Sequence, residues 1–146
     1  AKKYIDDYLH NFPNVEKFMN DTVENAKKNG YVTTMFGRKR YVPELSASNK
    51  NMQAAGRRIA MNTPIQGSAA DIIKIAMVRV YRRLKEEVPD ARLILQVHDE
   101  LIVECDLKDA EAAGKILSEE MTNACELKVP LTADVNRGDS WYEAKG

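Results

Sequence analysis

The residues best suited to chemistry are two carboxylates at a predicted turn between two apolar runs. Asp99 and Glu100 follow His98 directly. Carboxylates at the tip of a β-hairpin are held rigidly and stay exposed. Mg²⁺ prefers oxygen ligands and commonly takes one or two protein carboxylates together with substrate phosphates. Asp99 and Glu100 are therefore candidate metal ligands, and His98 could reach the same ligand. Aspartate is also frequent in turns for local reasons, so a purely structural turn is the alternative.

A second group of polar side chains recurs every four residues, at Arg58, Asn62 and Gln66. This spacing places the three side chains on one face of a helix, provided that the helix continues through them. Side chains of these types suit hydrogen bonds to base edges or sugars. An exposed polar helix face is the alternative interpretation. The small residues that follow, beginning at Gly67 and Ser68, are expected to let another part of the backbone approach closely.

A basic turn is predicted at Gly37-Arg38-Lys39-Arg40, where it could hold phosphates or simply be solvated. The net charge does not distinguish phosphate binding from a solvated turn, because 22 basic and 22 acidic residues give a formal net charge of zero. Any affinity for nucleic acid must therefore come from local clusters.

The composition is that of a soluble chain with a real core. The chain has 146 residues, of which 44% are hydrophobic, a length suited to one domain. Two cysteines without CxxC spacing predict neither a disulfide framework nor a zinc site, and indicate a reduced cytoplasmic compartment. No apolar run approaches the roughly 20 residues that a membrane span needs, so no membrane partner is expected. Without an initiating Met, the chain is expected to be a piece of a longer protein or a processed product.

The hydrophobic patterning predicts an α+β fold, with long helices packed on a small antiparallel sheet. Helical periodicity covers residues 1–30 and 52–87, with a bend or short loop at Pro64. Residues 45–51 are expected to form a loop. Strands are predicted around the basic turn (31–36 and 40–42), around the carboxylate turn (93–97 and 101–105) and at 129–135. In the first strand of the carboxylate hairpin, Leu93, Leu95 and Val97 are expected to share one face.

Several of these segments, in this order, resemble family A (Pol I-type) bacterial DNA polymerases. Residues 62–74 (NTPIQGSAADIIK) are similar to the segment that opens the long helix between fingers and palm. Residues 96–101 (QVHDEL) resemble the family's motif C. Residues 30–34 and 38–43 resemble the hairpin of the fingers region, and residues 130–142 the closing strand and C-terminus. Two such motifs about thirty residues apart are very specific, and they disfavour the related single-subunit phage RNA polymerases.

The resemblance implies roles for the candidate residues. Asp99 corresponds to the catalytic, Mg²⁺-binding aspartate of motif C, and Glu100 to an accessory carboxylate. His98 is expected to contact the primer terminus. The DNA-binding residues Arg58, Asn62 and Gln66 are expected to lie along the minor groove near the nascent base pair. The implied partners are primer-template DNA and deoxynucleoside triphosphates, and the implied parent is a monomeric, cytoplasmic, nucleoid-associated enzyme of bacterial DNA replication and repair.

The resemblance also implies a partial active site. Residues 1–146 are expected to be a single C-terminal fragment, with fingers-side helices and a hairpin over about 1–70 and palm with the motif C hairpin over about 71–146. Nothing in the sequence matches the motif A aspartate or the nucleotide-binding fingers helix. The isolated chain is therefore expected to be inactive as a polymerase. The alternative is a non-catalytic DNA-binding or interaction module from a natural truncation.

Overall fold

The computed structural model describes residues 2–145 and divides the chain into two compact units, one ending at Ser68 and the other beginning at Ala69. Each unit combines helices with its own two-stranded antiparallel sheet. The predicted α+β class is confirmed. Over the residues that the structure describes, no helix is long and apolar enough to cross a membrane.

The first unit contains three helices, of which the second and third pack with a short hairpin around a small apolar core. Its buried residues come from helix, hairpin and connecting turn alike: Val23, Ala26, Val32, Val42, Leu45 and Ala60. Its elements are α1 (Lys2–Asn11), α2 (Pro13–Asn29), β1 (Tyr31–Thr33), β2 (Lys39–Tyr41), α3 (Lys50–Asn62) and a π-helical turn (Thr63–Gly67).

The predicted end of α2 and the predicted hairpin are both present. Gly30 has φ +79°, a left-handed conformation that glycine adopts without steric cost, and its N–H donates to the Ala26 carbonyl at 2.8 Å. The hairpin turn contains Gly37, also at φ +79°. These two glycines reverse the chain twice within a few residues, so that β1 packs beside α2 and pairs with β2.

The segment at residues 45–51, expected to be a loop, is more ordered than the sequence indicated. Leu45 lies in a short 3₁₀ turn (Pro43–Ser46) and is buried, with 6% of its surface exposed. A Cβ atom placed on Gly56 of α3 would lie only 2.8 Å from the Leu45 backbone nitrogen. The absence of a side chain at Gly56 therefore lets the turn pack directly against α3, which buries Leu45 in the core.

The second unit packs two helices on the second hairpin. Its core contains the predicted stripe of α4, with Ile73, Val80 and Leu84 buried and Met77 half-buried beside them. Leu101 of the hairpin and Ile116 of the following helix complete this core. The elements are α4 (Ser68–Glu87), β3 (Arg92–Val97), β4 (Glu100–Glu104), α5 (Ala110–Thr122) and a short α6 (Trp141–Ala144), with α4 beginning at the boundary between the units.

A β-bulge in β3 overturns the prediction that Leu93, Leu95 and Val97 share one face. Leu93 pairs with Val103, whereas Leu95 pairs with the adjacent Ile102, so one residue of β3 has no partner. Neighbouring residues of β4 point to opposite faces. Leu93 therefore packs on the core, while Leu95 lies on the opposite face and is 44% exposed. The alternation of residues in the sequence could not reveal this change of face, because a bulge inserts one extra residue and shifts the two-residue period of the strand.

The strand predicted at residues 129–135 is not formed. A strand needs a neighbour for its backbone hydrogen bonds, and among the described residues β3 and β4 pair only with each other. The segment instead runs beside α5. The Ser118 hydroxyl lies 3.4 Å from the Ala133 carbonyl that accepts its hydrogen bond, and a Cβ on Gly114 would lie 3.3 Å from Val135 Cγ1.

An arginine on α4 connects this helix to α5. The Arg83 guanidinium donates to Glu87 Oε1 at 2.8 Å, to Glu119 Oε2 at 2.7 Å and to Glu120 Oε1 at 3.0 Å. These hydrogen bonds raise the pKa of Arg83 above its ordinary value. The hydrogen bond from Arg83 lowers the pKa of the Glu87 carboxyl below its usual 4.5. Three acidic partners on two helices make Arg83 a candidate stabilising residue of this unit.

We expect Arg83→Ala to lower the melting temperature more than Arg82→Ala, since Arg82 is the exposed neighbour on the same helix. The difference should depend on pH. A carboxyl whose folded pKa is lowered stabilises the fold above its unfolded value and loses that contribution as the pH falls through the folded value. The melting temperature of the unmodified protein should therefore exceed that of Arg83→Ala by the full amount above about pH 4.5, and the difference should shrink below that pH. Thermal melts of the three proteins between pH 3 and 7 test this, and equal melting temperatures at pH 7 would contradict it.

Candidate functional site

The carboxylate turn is a tight hairpin tip. His98 and Asp99 alone connect β3 to β4, and the last pair of the ladder is Val97 with Glu100. His98 has φ +50°, in the left-handed region that histidine enters more readily than most residues. The Gln96 side chain donates to the His98 carbonyl at 2.7 Å and braces the turn. The predicted hairpin tip is confirmed, with Glu100 as the first residue of β4.

The two carboxylates of the tip differ in their surroundings. Asp99 is exposed, whereas Glu100 is half-buried. Glu100 Oε2 is buried without a hydrogen-bond partner, and Glu100 Oε1 lies 4.0 Å from the Lys145 ammonium. The same ammonium lies 5.5 Å from the centre of the Trp141 ring. Sequence reasoning missed this neighbourhood, because no local pattern relates Lys145 to a residue 45 positions earlier.

These oxygens are of the type that Mg²⁺ binds. Asp99 offers an exposed carboxylate, and the unpartnered Oε2 of Glu100 is an acceptor with unused capacity. Within residues 2–145, however, no group of three or more His, Cys, Asp and Glu side chains could hold a metal ion together. The tip therefore fits only part of a magnesium shell, and metal binding by Asp99 stays a prediction. Water and substrate phosphates commonly supply several of the remaining positions around Mg²⁺.

The polar face at Arg58, Asn62 and Gln66 is present in the first unit. All three side chains are exposed. Asn62 ends α3, and Gln66 lies in the π-helical turn that follows. In the described part of the chain, none of the three has an intramolecular side-chain hydrogen bond or ion pair, so their donors are available to a ligand. Because these residues lie in the first unit and His98, Asp99 and Glu100 in the second, the geometry of each group is defined within its own unit.

The bend or loop expected at Pro64 is a π-helical turn, so the helical path continues. Proline cannot donate a backbone hydrogen bond, which favours an irregular turn over regular α-helix. The buried Thr63 hydroxyl donates to the Ile59 carbonyl at 2.7 Å. Asn62 and Gln66 therefore lie before and after Pro64 on one continuous helical path.

The basic hairpin packs against this turn. A Cβ on Gly67 would lie 2.7 Å from Thr34 Cγ2, so the residue that approaches Gly67 closely does so with its side chain and not, as expected, with its backbone. The Arg38 guanidinium donates to the Gly67 carbonyl at 3.1 Å. The Ser68 hydroxyl accepts from the Met35 N–H at 2.9 Å and donates to the Pro64 carbonyl. The sequence did not predict these hydrogen bonds. Its one local indication of them was Gly67, where a close approach was expected.

The basic side chains of the hairpin are only partly available to phosphates. Arg38 is engaged with Gly67, and the Lys39 ammonium lies 4.4 Å from the centre of the Tyr31 ring. Tyr31 in turn contacts Tyr41 edge to face, with ring centres 5.9 Å apart. Phosphate binding by this hairpin stays a prediction.

Comparison with known proteins identifies the family. The sequence model described as DNA polymerase family A matches residues 1–143, which include the polar helix face and the hairpin tip. The chain belongs to DNA polymerase family A. The family named from residues 62–74 and 96–101 is therefore confirmed.

Individual family A members are similar over nearly the whole chain. DNA polymerase I of Bacillus subtilis is 51% identical over 145 residues, which are 99% of this chain and 16% of that protein. DNA polymerase I of Caldicellulosiruptor bescii is 46% identical over 145 residues, again 99% of this chain, and 17% of its own length. The thermostable DNA polymerase I of Thermus aquaticus is 43% identical over 145 residues, or 17% of its length. The chain thus spans about a sixth of these relatives.

A solved structure agrees with the fold. The polymerase domain of Pol1 from M. smegmatis, in complex with DNA primer-template and dNTP, is 42% identical and matches with a TM-score of 0.95. The match covers 100% of this chain and 26% of that one. The roles assigned to the six candidate residues stay predictions.

Proposed function

We propose that the full-length protein carrying this sequence is a DNA-directed DNA polymerase, which adds deoxynucleotides to a primer 3′ end in DNA replication and repair. The observation that carries the proposal is the family A match over residues 1–143, at 43–51% identity to three DNA polymerases I. The M. smegmatis domain, with its primer-template and dNTP, supports DNA and nucleotide partners for this protein. We further propose that the full-length protein is a monomer in the bacterial cytoplasm, where it is associated with the nucleoid.

The proposed reaction is in-line transfer of a nucleotidyl group to the primer 3′-hydroxyl. When bound, two Mg²⁺ ions would favour ionisation of that hydroxyl and offset the charge that develops on the triphosphate. Asp99 would hold these ions from the hairpin tip, where the hydrogen bond from Gln96 to the His98 carbonyl braces the turn. Glu100 acts as an accessory carboxylate, and His98 contacts the primer terminus.

The helix face of the first unit checks the newly formed base pair. The minor groove presents acceptors at similar positions in every correct pair. Arg58, Asn62 and Gln66 all carry N–H donors, and all three side chains are exposed and available. Donors placed along this groove detect the geometry of a pair without reading its sequence. A polymerase that must copy any template needs this kind of contact.

Primer extension by the purified full-length protein tests the proposal. We expect Mg²⁺-dependent incorporation of the deoxynucleotide complementary to the template, and its loss on addition of EDTA. Ribonucleotides offered alone should extend the primer far more slowly, which distinguishes this enzyme from a single-subunit RNA polymerase. Binding of primer-template without any extension would contradict the proposal and indicate a non-catalytic DNA-binding module.

A further inference from the structure

The π-helical turn is held from outside the helix by the turn of the first hairpin. Two hydrogen bonds connect them, from the Arg38 guanidinium to the Gly67 carbonyl at 3.1 Å and from the Met35 N–H to the Ser68 hydroxyl at 2.9 Å. Thr34, which is buried, packs against the bare Cα of Gly67. Gln66 is the residue next to this contact on the side of the polar face.

Ser68 has the central place in this contact. Its side chain is buried, with 7% of its surface exposed, so it is not available to DNA. Its hydroxyl accepts from Met35 and donates to the Pro64 carbonyl, and it thereby bridges the hairpin to the π turn. Removing the hydroxyl breaks both bonds at once and leaves the Met35 N–H without this acceptor. Three residues, Ile65, Gln66 and Gly67, lie between Pro64 and Ser68, and Gln66 is the one that belongs to the polar face.

We propose that Ser68 is a positioning residue, whose hydroxyl fixes the π-helical turn and thereby the orientation of Gln66 toward the primer-template end. The inference rests on the proposed polymerase function and deepens it. The π-helical turn interrupts the regular α-helical hydrogen-bond pattern, and Pro64 within it has no backbone N–H to donate. An external brace at Ser68 replaces the missing restraint, and the Gln66 amide can then meet the minor groove in one fixed direction.

A double-mutant cycle in the full-length protein tests the inference. The four proteins are the unmodified enzyme, Ser68→Ala, Gln66→Ala and the double variant. The measured quantity is the ratio of single-turnover incorporation rates from a matched and a mismatched primer end, with primer-template affinity measured alongside. We expect Gln66→Ala to change this ratio roughly three- to tenfold, the range for loss of about one net hydrogen bond. Ser68→Ala should shift the ratio in the same direction but have no further effect when Gln66 is already alanine.

Two further variants separate positioning from a general loss of structure. Ser68→Thr keeps the hydroxyl and should leave the ratio close to that of the unmodified enzyme. Ser48→Ala makes the same chemical change at an exposed serine before α3 and should leave the ratio unchanged. All rates are measured well below the lowest melting temperature of the set, so that a loss of stability alone does not alter the ratio.

The outcomes distinguish the inference from the function on which it rests. An unmodified protein that incorporates no nucleotide overturns the proposed function, and the inference with it. An active enzyme in which Gln66→Ala leaves the ratio unchanged overturns the inference, since Ser68 then has nothing to position. Independent effects of the two substitutions, no effect of Ser68→Ala, or Ser68→Thr behaving like Ser68→Ala, overturn it in the same way.

Discussion

Asp99→Asn in the full-length protein should lower the single-turnover rate of nucleotide incorporation by about a thousandfold, while primer-template affinity stays within a few-fold. Asparagine keeps the size of the side chain but removes the negative charge at the hairpin tip. Two metal ions about 3.5–4 Å apart repel each other and need anionic ligands between them. Loss of about 4 kcal/mol of transition-state stabilisation corresponds to this factor. DNA affinity depends mostly on phosphate contacts elsewhere.

The matched control for this substitution is Asp90→Asn, which removes the same charge from an exposed aspartate in the turn that follows α4. We expect that variant to incorporate nucleotides at the rate of the unmodified enzyme. Raising the Mg²⁺ concentration should recover part of the rate lost in Asp99→Asn, because weak metal binding is the cause. If Asp99→Asn stays within a few-fold of the unmodified rate, Asp99 is a turn residue and its assignment as a metal ligand is wrong.

The 146-residue polypeptide by itself should not extend a primer, even with Mg²⁺ and all four deoxynucleotides. Its hairpin tip supplies Asp99 and Glu100, but in residues 2–145 no group of three potential ligands surrounds them. A two-metal site with so few anionic ligands would not hold both ions in place. The measurement is primer extension by the purified polypeptide, with an active family A enzyme as the positive control. Extension by a preparation free of host polymerase would contradict the expectation.

We expect the same polypeptide to bind DNA weakly. The basic hairpin and the start of the polar face offer few phosphate contacts, roughly 2–4. A plot of log K against log salt concentration should then have a slope of about −2 to −4, without preference for sequence. Circular dichroism melts show whether the polypeptide is folded, so that inactivity is not attributed to unfolding. A slope near zero would contradict the prediction that the basic hairpin binds phosphates.

Much of the fold could be predicted because its signals are local. Gly30 ends a helix through its own φ angle, and the α4 stripe at Ile73, Val80 and Leu84 follows the helical period. The hairpin tip at Asp99 was equally visible, since only the three residues from His98 to Glu100 separate the two apolar runs. The candidate residues on both surfaces were found from residue type and spacing. Their chemical roles came from the family resemblance, because spacing alone left the structural alternatives open.

The features that could not be predicted depend on partners distant in sequence. Residues 129–135 have the composition of a strand, but their contacts are with α5 rather than with a neighbouring strand. Pro64 marked an irregular helix, yet the π turn is defined by side-chain bonds from Thr63 and Ser68 and by the hairpin that packs on it. The Lys145 ammonium near Glu100 had no local signal at all.

Because of the bulge in β3, the length of this strand can change by one residue without a change in the orientation of its tip. Deleting Ile94 would leave the pairs from Leu95 with Ile102 to Val97 with Glu100 unchanged, because Ile94 is the residue without a partner. In a strand without a bulge, the loss of one residue exchanges the two faces from that point onward. Relatives of this protein can therefore differ by one residue at this position and still present the Asp99 carboxylate on the same side. In a family alignment, we expect a gap at position 94 to be neutral for the proposed metal site.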